Sequence, residues 1–153
     1  MPSSLVNLFT VATLSVVAGC IPQDDYEGSY DMTFDVITTS AAGRTQAMAG
    51  TTTVDVKHGL NDNYLVHLGN SFCVLEGSYI RAKTWGDRTF VDFTPQDCWY
   101  ARSATAGAIP LSLGGTADYV GDDDERFQIV LGGSFIDDDG KVGSATVQLT
   151  ESW

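Results

Sequence analysis

The chain has 153 residues and sets 20 Asp and Glu against 8 Lys and Arg, a formal net charge of −12. So acidic a chain lacks the Lys and Arg that nucleic acid rewards at its phosphates, and it has no charge with which to lie flat on anionic lipid. HExxH, P-loop and dinucleotide-binding fingerprints are also missing, so no local motif announces metalloprotease or nucleotide chemistry.

Met1 to Gly19 contains no Asp, Glu, Lys or Arg, and every charged side chain falls after Cys20. Leu5 to Ala18 is an apolar run of 14 residues, enough for the core of a secretory signal but short of the roughly 20 that a membrane-spanning helix needs. The leading MPSSLVN offers only its α-amino group where signal peptides normally carry Lys or Arg. The run closes on Val17-Ala18-Gly19-Cys20, which resembles the bacterial lipobox: an aliphatic residue, two small ones, and the cysteine that receives lipid. The resemblance implies an exported lipoprotein, cut before Cys20 and acylated there with palmitate-like chains. Each buried methylene contributes about 0.8 kcal/mol, so such chains anchor without a basic patch. Ile21 stands where Asp would retain a lipoprotein in the inner membrane in the enteric pattern, which implies the outer membrane. The expected organisation is a signal peptide over 1–19, a lipidated tether over 20–25, and one domain over 26–153.

The remaining chain is expected to be all-β. Tyr30, Met32, Phe34 and Val36 alternate with Asp31, Thr33 and Asp35; Val54 and Val56 alternate with Asp55 and Lys57; Tyr64, Val66 and Leu68 follow the turn GLNDN. Further strands are expected over Phe72 to Glu76, Thr89 to Phe93, Ile109 to Leu113 continuing to Val120, and around Phe127 to Leu131 and Ala145 to Leu149, with a less regular stretch from Tyr79 to Asp87. GLNDN, WGD, GDDD and DDDGK separate alternating runs, and Asp139-Gly140 supplies a hairpin turn. About eight strands joined by short loops favour an antiparallel up-and-down meander closing into a barrel, with a two-sheet sandwich as the other architecture. Tyr26-Glu27-Gly28-Ser29-Tyr30 resembles the Gly-x-aromatic opening of lipocalin-like barrels. Cys73 through Phe93-Thr94-Pro95-Gln96-Asp97-Cys98 resembles small disulfide-bearing lipoproteins of Gram-negative bacteria. Neither resemblance brings a catalytic residue.

Once Cys20 is lipidated, Cys73 and Cys98 remain as an even pair in an oxidising compartment. Their separation of 25 fits neither CxxC redox chemistry nor a zinc site. A disulfide is expected, with two buried free thiols as the alternative. Asp122-Asp123-Asp124-Glu125 and Asp137-Asp138-Asp139 raise the question of calcium, but the second cluster puts Lys141 at the fifth place and Gly140 at the fourth, which breaks EF-hand spacing. Solvated turns and a weak divalent site are the two readings, and no metal ligands are assigned. His58 is expected opposite Tyr64, and His67 opposite Asp55 on the other face. Gly132-Gly133-Ser134-Phe135-Ile136 fails as a nucleophile elbow. No catalytic residue and no cofactor are expected.

Tyr79, Trp85, Trp99 and Tyr100 cluster around the irregular segment and Cys98. A Cys73–Cys98 bridge would gather these rings at one end of the barrel, either lining a ligand or partner contact or capping the core. The interior is expected to be filled largely by Tyr30, Met32, Phe34, Tyr64, Phe72 and Phe127, since eight strands leave little more room than side chains need. The reading is therefore a non-enzymatic, lipid-anchored envelope module that binds a protein partner or serves a structural role. The alternative is a lipocalin-like carrier of a small apolar ligand.

Overall fold

The computed structural model describes residues 26–61, 63–69, 73–81, 89–101, 108–120 and 125–152. The signal segment, Cys20, Phe72, Trp85 and Asp122 to Asp124 lie outside the described residues. Eight strands run in chain order: β1 Gly28–Thr39, β2 Thr45–His58, β3 Asn63–Leu68, β4 Val74–Arg81, β5 Thr89–Ala101, β6 Ala108–Val120, β7 Arg126–Ile136 and β8 Val142–Glu151. Each pairs antiparallel with the next and β8 returns to β1, closing an up-and-down barrel rather than a sandwich.

Alternation does the sorting. Met32, Phe34, Val36, Val54, Val56, Tyr64, Val66, Leu75, Leu111, Ile129, Leu131 and Leu149 are buried inside, while Asp31, Asp35, Asp55, Lys57, Asp92, Asp97 and Gln148 stand exposed outside. Strand side chains project to opposite faces with period two, so one apolar face per strand suffices to fill a small barrel. This polarity is the inverse of a membrane-spanning barrel, whose outer band is apolar. Glycine completes the packing at three inward positions. Phe34 lies directly across from Gly50, Phe93 from Gly77 and Phe135 from Gly143. A Cβ at any of these glycines would come within 2.6 to 2.8 Å of the facing Phe ring. The rings occupy the space that glycine leaves.

Several strands run longer than alternation indicates. Tyr79 and Ile80 lie within β4 instead of an irregular stretch, and β5 continues past Pro95 to Ala101. The ladder between β5 and β6 shifts register between Phe93 and Gln96, where Pro95 has no N–H to donate. β2 begins at Thr45, nine residues before its first inward valine, because Thr45 to Thr53 shows no apolar alternation to betray it.

The two ends of the barrel differ. The N-terminal segment arrives at the end bearing the β2–β3 turn. There Tyr26 is 0% exposed although it precedes β1. Its ring stacks on Tyr119 (5.5 Å, 15°), meets Tyr64 edge-on (5.5 Å, 89°) and abuts Phe127 and Tyr79. The Tyr26 and Thr89 hydroxyls lie 3.2 Å apart. The Tyr30 hydroxyl donates to the Tyr26 carbonyl at 2.9 Å. Its proton thus committed, it accepts from the Tyr119 hydroxyl at 2.8 Å. This aromatic plug closes one end.

Candidate functional site: the open end and its notch

At the opposite end the strands are unequal. β3 pairs with β2 only from Val54↔Leu68 onward, and β4 pairs with β5 only from Gly77↔Phe93. The short β3–β4 hairpin therefore leaves a notch in the wall between the upper parts of β2 and β5. Two devices tie its floor. Cys73 and Cys98 form a disulfide with their Cα atoms 4.7 Å apart. Beside it the Gln96 side chain imitates a strand: its Oε1 accepts from Glu76 N–H at 3.0 Å and its Nε2 donates to the Glu76 carbonyl at 2.8 Å.

The notch holds about 420 Å³ and is lined by Val36, Thr38, Gln46, Ala47, Met48 and Tyr100. The Tyr100 hydroxyl reaches across it to Met48 Sδ at 3.3 Å. Below, ringed by Phe34, Leu68, Leu111, Leu113, Val147 and Leu149, the barrel interior keeps only about 40 Å³. That is room for a few waters at most. On the outer face the same rim carries an apolar belt across four neighbouring strands. Trp99 (49% exposed) pairs with Pro110, and Ile136 (56%) pairs with Val142 (66%). Pro110 and Ile136 each lie one step beyond the Leu111↔Phe135 pair, which joins the two halves.

Of the four aromatics expected to gather, the three described ones do not. Tyr79 belongs to the plug at the closed end. Tyr100 lines the notch at the open end, and Trp99 points outward from that rim. The reason is the added length of β5, which carries residues 99 and 100 to the far end of the barrel and, by alternation, to opposite faces. Trp85 lies outside the described residues. Of the belt, Pro110, Ile136 and Val142 were not singled out from sequence. Ile136 was detectable, because it follows inward Phe135 and must therefore face water.

The other candidates take structural places. Asp137 caps its own turn: Oδ1 accepts from the N–H groups of Lys141 (2.9 Å) and Asp139 (3.0 Å), and Oδ2 from Ala41 (3.1 Å) in the β1–β2 turn. The bond from the Lys141 N–H does most to hold its carboxyl below the usual carboxylate range; loss of solvent opposes it, and the bonds from Ala41 and Asp139 and the Lys141 charge add to the lowering. Arg44 approaches Asp139 at 3.9 Å between two exposed side chains. Among the described residues no group of three or more His, Cys, Asp or Glu is placed to hold a metal ion. His58 pairs with Tyr64, and its Nε2 lies 3.7 Å from Glu27; His67 pairs with Asp55. Ser134 sits inside β7, opposite Ser112 and Ser144, and not on a strand-to-helix turn. Among the described residues no helix is long and apolar enough to cross a membrane.

Compared with family models, curated proteins and solved structures, the chain matches none.

Proposed function

We propose that the protein is a lipid-anchored envelope lipoprotein of the bacterial outer membrane that binds a protein partner through the end of its barrel farthest from the anchor. The observation that carries this reading is the polarity of the barrel. Tyr26, where the tether would join, is buried in the plug at one end. The belt of Trp99, Pro110, Ile136 and Val142 surrounds the other. A contiguous apolar strip on a body of net charge −12 is costly to leave in water and is typical of a protein contact. A barrel standing on a tether of six residues presents that strip outward.

Two measurements test the reading. Mass spectrometry of the membrane-extracted protein is expected to find a chain beginning at acylated Cys20, and an unmodified Cys20 removes the anchor. A photo-reactive residue placed in cells at Trp99 or Val142 is expected to yield protein adducts, while one at Leu60, on the closed end, yields none. Adducts at Leu60 alone would reverse the assignment. The carrier reading is second: the cavity deep in the barrel holds about 40 Å³, well below the roughly 300 Å³ at which ligand pockets begin, and the space of about 420 Å³ above it lies at the notched, open end instead of enclosing a ligand. Titration with apolar fluorescent probes is expected to show no saturable binding.

A further inference from the structure

The upper half of β2 has one ladder where an interior strand has two. Thr45 to Thr53 pairs with β1 along its whole length, whereas its other edge meets β3 only beyond Val54. Antiparallel strands direct the backbone groups of alternate residues to alternate sides, and the turns fix which are which. Ser40 N–H bonds to the Arg44 carbonyl, so even-numbered residues of β2 face β1. Gly59 N–H bonds to the Asn63 carbonyl, so odd-numbered residues face the β3 side. Thr53 is already covered, because a Cβ on Gly69 would lie 2.7 Å from its carbonyl oxygen. The N–H and C=O groups of Thr45, Ala47, Ala49 and Thr51 therefore point into the notch with no backbone partner among the described residues.

Natural edges are usually guarded by charge, proline or a bulge. The two walls of this notch differ in that respect. On β5 the Gln96 side chain occupies the edge by bonding to both backbone groups of Glu76, and Asp97 beside it is charged and exposed. β2 presents Thr-Gln-Ala-Met-Ala-Gly-Thr-Thr-Thr, with no charged residue and no proline over Thr45 to Thr53. The space beside it wraps the edge, since it is lined by Gln46 and Met48 from the inner face and by Ala47 from the outer.

We propose that this edge, Thr45 to Thr51, takes an extended segment of another protein as an added strand, with its inward side chains on Met48 and Tyr100. The proposal rests on the protein-binding reading above and names what is bound. The segment's chemistry follows from its surroundings. Apolar residues at every second position meet Met48, Val36 and Tyr100. Lys or Arg at its ends meets a body of net charge −12 with Glu76 and Asp97 exposed close to the notch. A second copy of the chain fits less well, because two bodies of charge −12 repel. Antiparallel pairing of two β2 edges would also direct their tethers to opposite sides, which one membrane does not allow.

The test uses the full-length protein in a mild detergent and a fluorescent heptapeptide, acetyl-Lys-Thr-Val-Thr-Val-Thr-Lys-amide. Saturable binding is expected, with amide exchange slowed at Ala47, Ala49 and Thr51. Ala49→Pro deletes one N–H from the open edge and no bond to β1, so the barrel should fold while peptide affinity falls roughly tenfold. Ala47→Pro provides an independent second variant. An Asp-flanked peptide should bind more weakly. Absence of binding, or binding indifferent to both prolines, overturns the proposal. So does a concentration-dependent dimer lost in Ala49→Pro, which would make a second copy the occupant. The two failures are separable: rim adducts that persist in Ala49→Pro while the peptide does not bind would sink strand addition and leave the protein-binding reading standing.

Discussion

Tyr26 shows how much one residue outside any strand can contribute. It packs against four rings of the barrel's closed end and is wholly buried. Tyr26→Ala would open a ring-sized cavity and is expected to destabilise the fold by about 3 to 5 kcal/mol. Tyr26→Phe, which removes the hydroxyl that contacts Thr89 and keeps the ring, should cost about 1 kcal/mol. Urea unfolding of both variants distinguishes them, and near-equal losses would mean that the hydroxyl, not the ring, is what matters. Alternation could not reveal this, since a residue preceding the first strand has no period to belong to. Asp137 illustrates a different local logic. Its carboxylate accepts three backbone N–H bonds, so its folded-state pKa is depressed. The stabilisation is present above the unfolded-state value and is lost as pH falls through the lower folded value. A carboxyl-carbon NMR titration should find the Asp137 midpoint below the usual carboxylate range. Asp137→Asn should remove that acid-side dependence while retaining part of the turn through its amide oxygen.

At the scale of elements, strands with a buried face and a wet face were legible and strands exposed on both faces were not. Val54 to Lys57 identified the lower part of β2, but Thr45 to Thr53, mostly exposed on both sides, carries no period because it has no core to face. β5 is legible only to Phe93 because Pro95 interrupts the pattern, yet the strand resumes one residue out of register, which moves its inward face from odd-numbered to even-numbered residues. The cysteine pair was legible by arithmetic, and its place in the fold explains its use. The bridge closes a seam in which β4 and β5 share no backbone ladder above Gly77↔Phe93. Reduction is expected to cost about 3 to 4 kcal/mol in the chain-entropy account, lowering the melting temperature by on the order of 10 °C. Calorimetry with and without reductant measures this. Gln96→Ala should deepen the loss in the reduced protein, since the two devices hold the same seam, and additive effects of the two would show that they act independently.

For the whole molecule, closure was legible because eight alternating runs with short turns leave few topologies. The difference between the ends was not, because it arises from unequal strand lengths that turn residues do not encode. That difference has a mechanical consequence. A pull between Tyr26 and Ala49, in the upper part of β2, draws β1 and β2 past one another along their axes, loading the ladder from Gly28↔Val56 to Asp35↔Ala49 all at once. A pull between Tyr26 and Ser152, both at the closed end, peels β8 from β1 one pair at a time, beginning at Met32↔Glu151. The barrel is therefore a directional fastener. In single-molecule stretching, handles at Tyr26 and Ala49 should require a higher rupture force than handles at Tyr26 and Ser152. Equal forces in the two geometries would show that load does not follow the strand register.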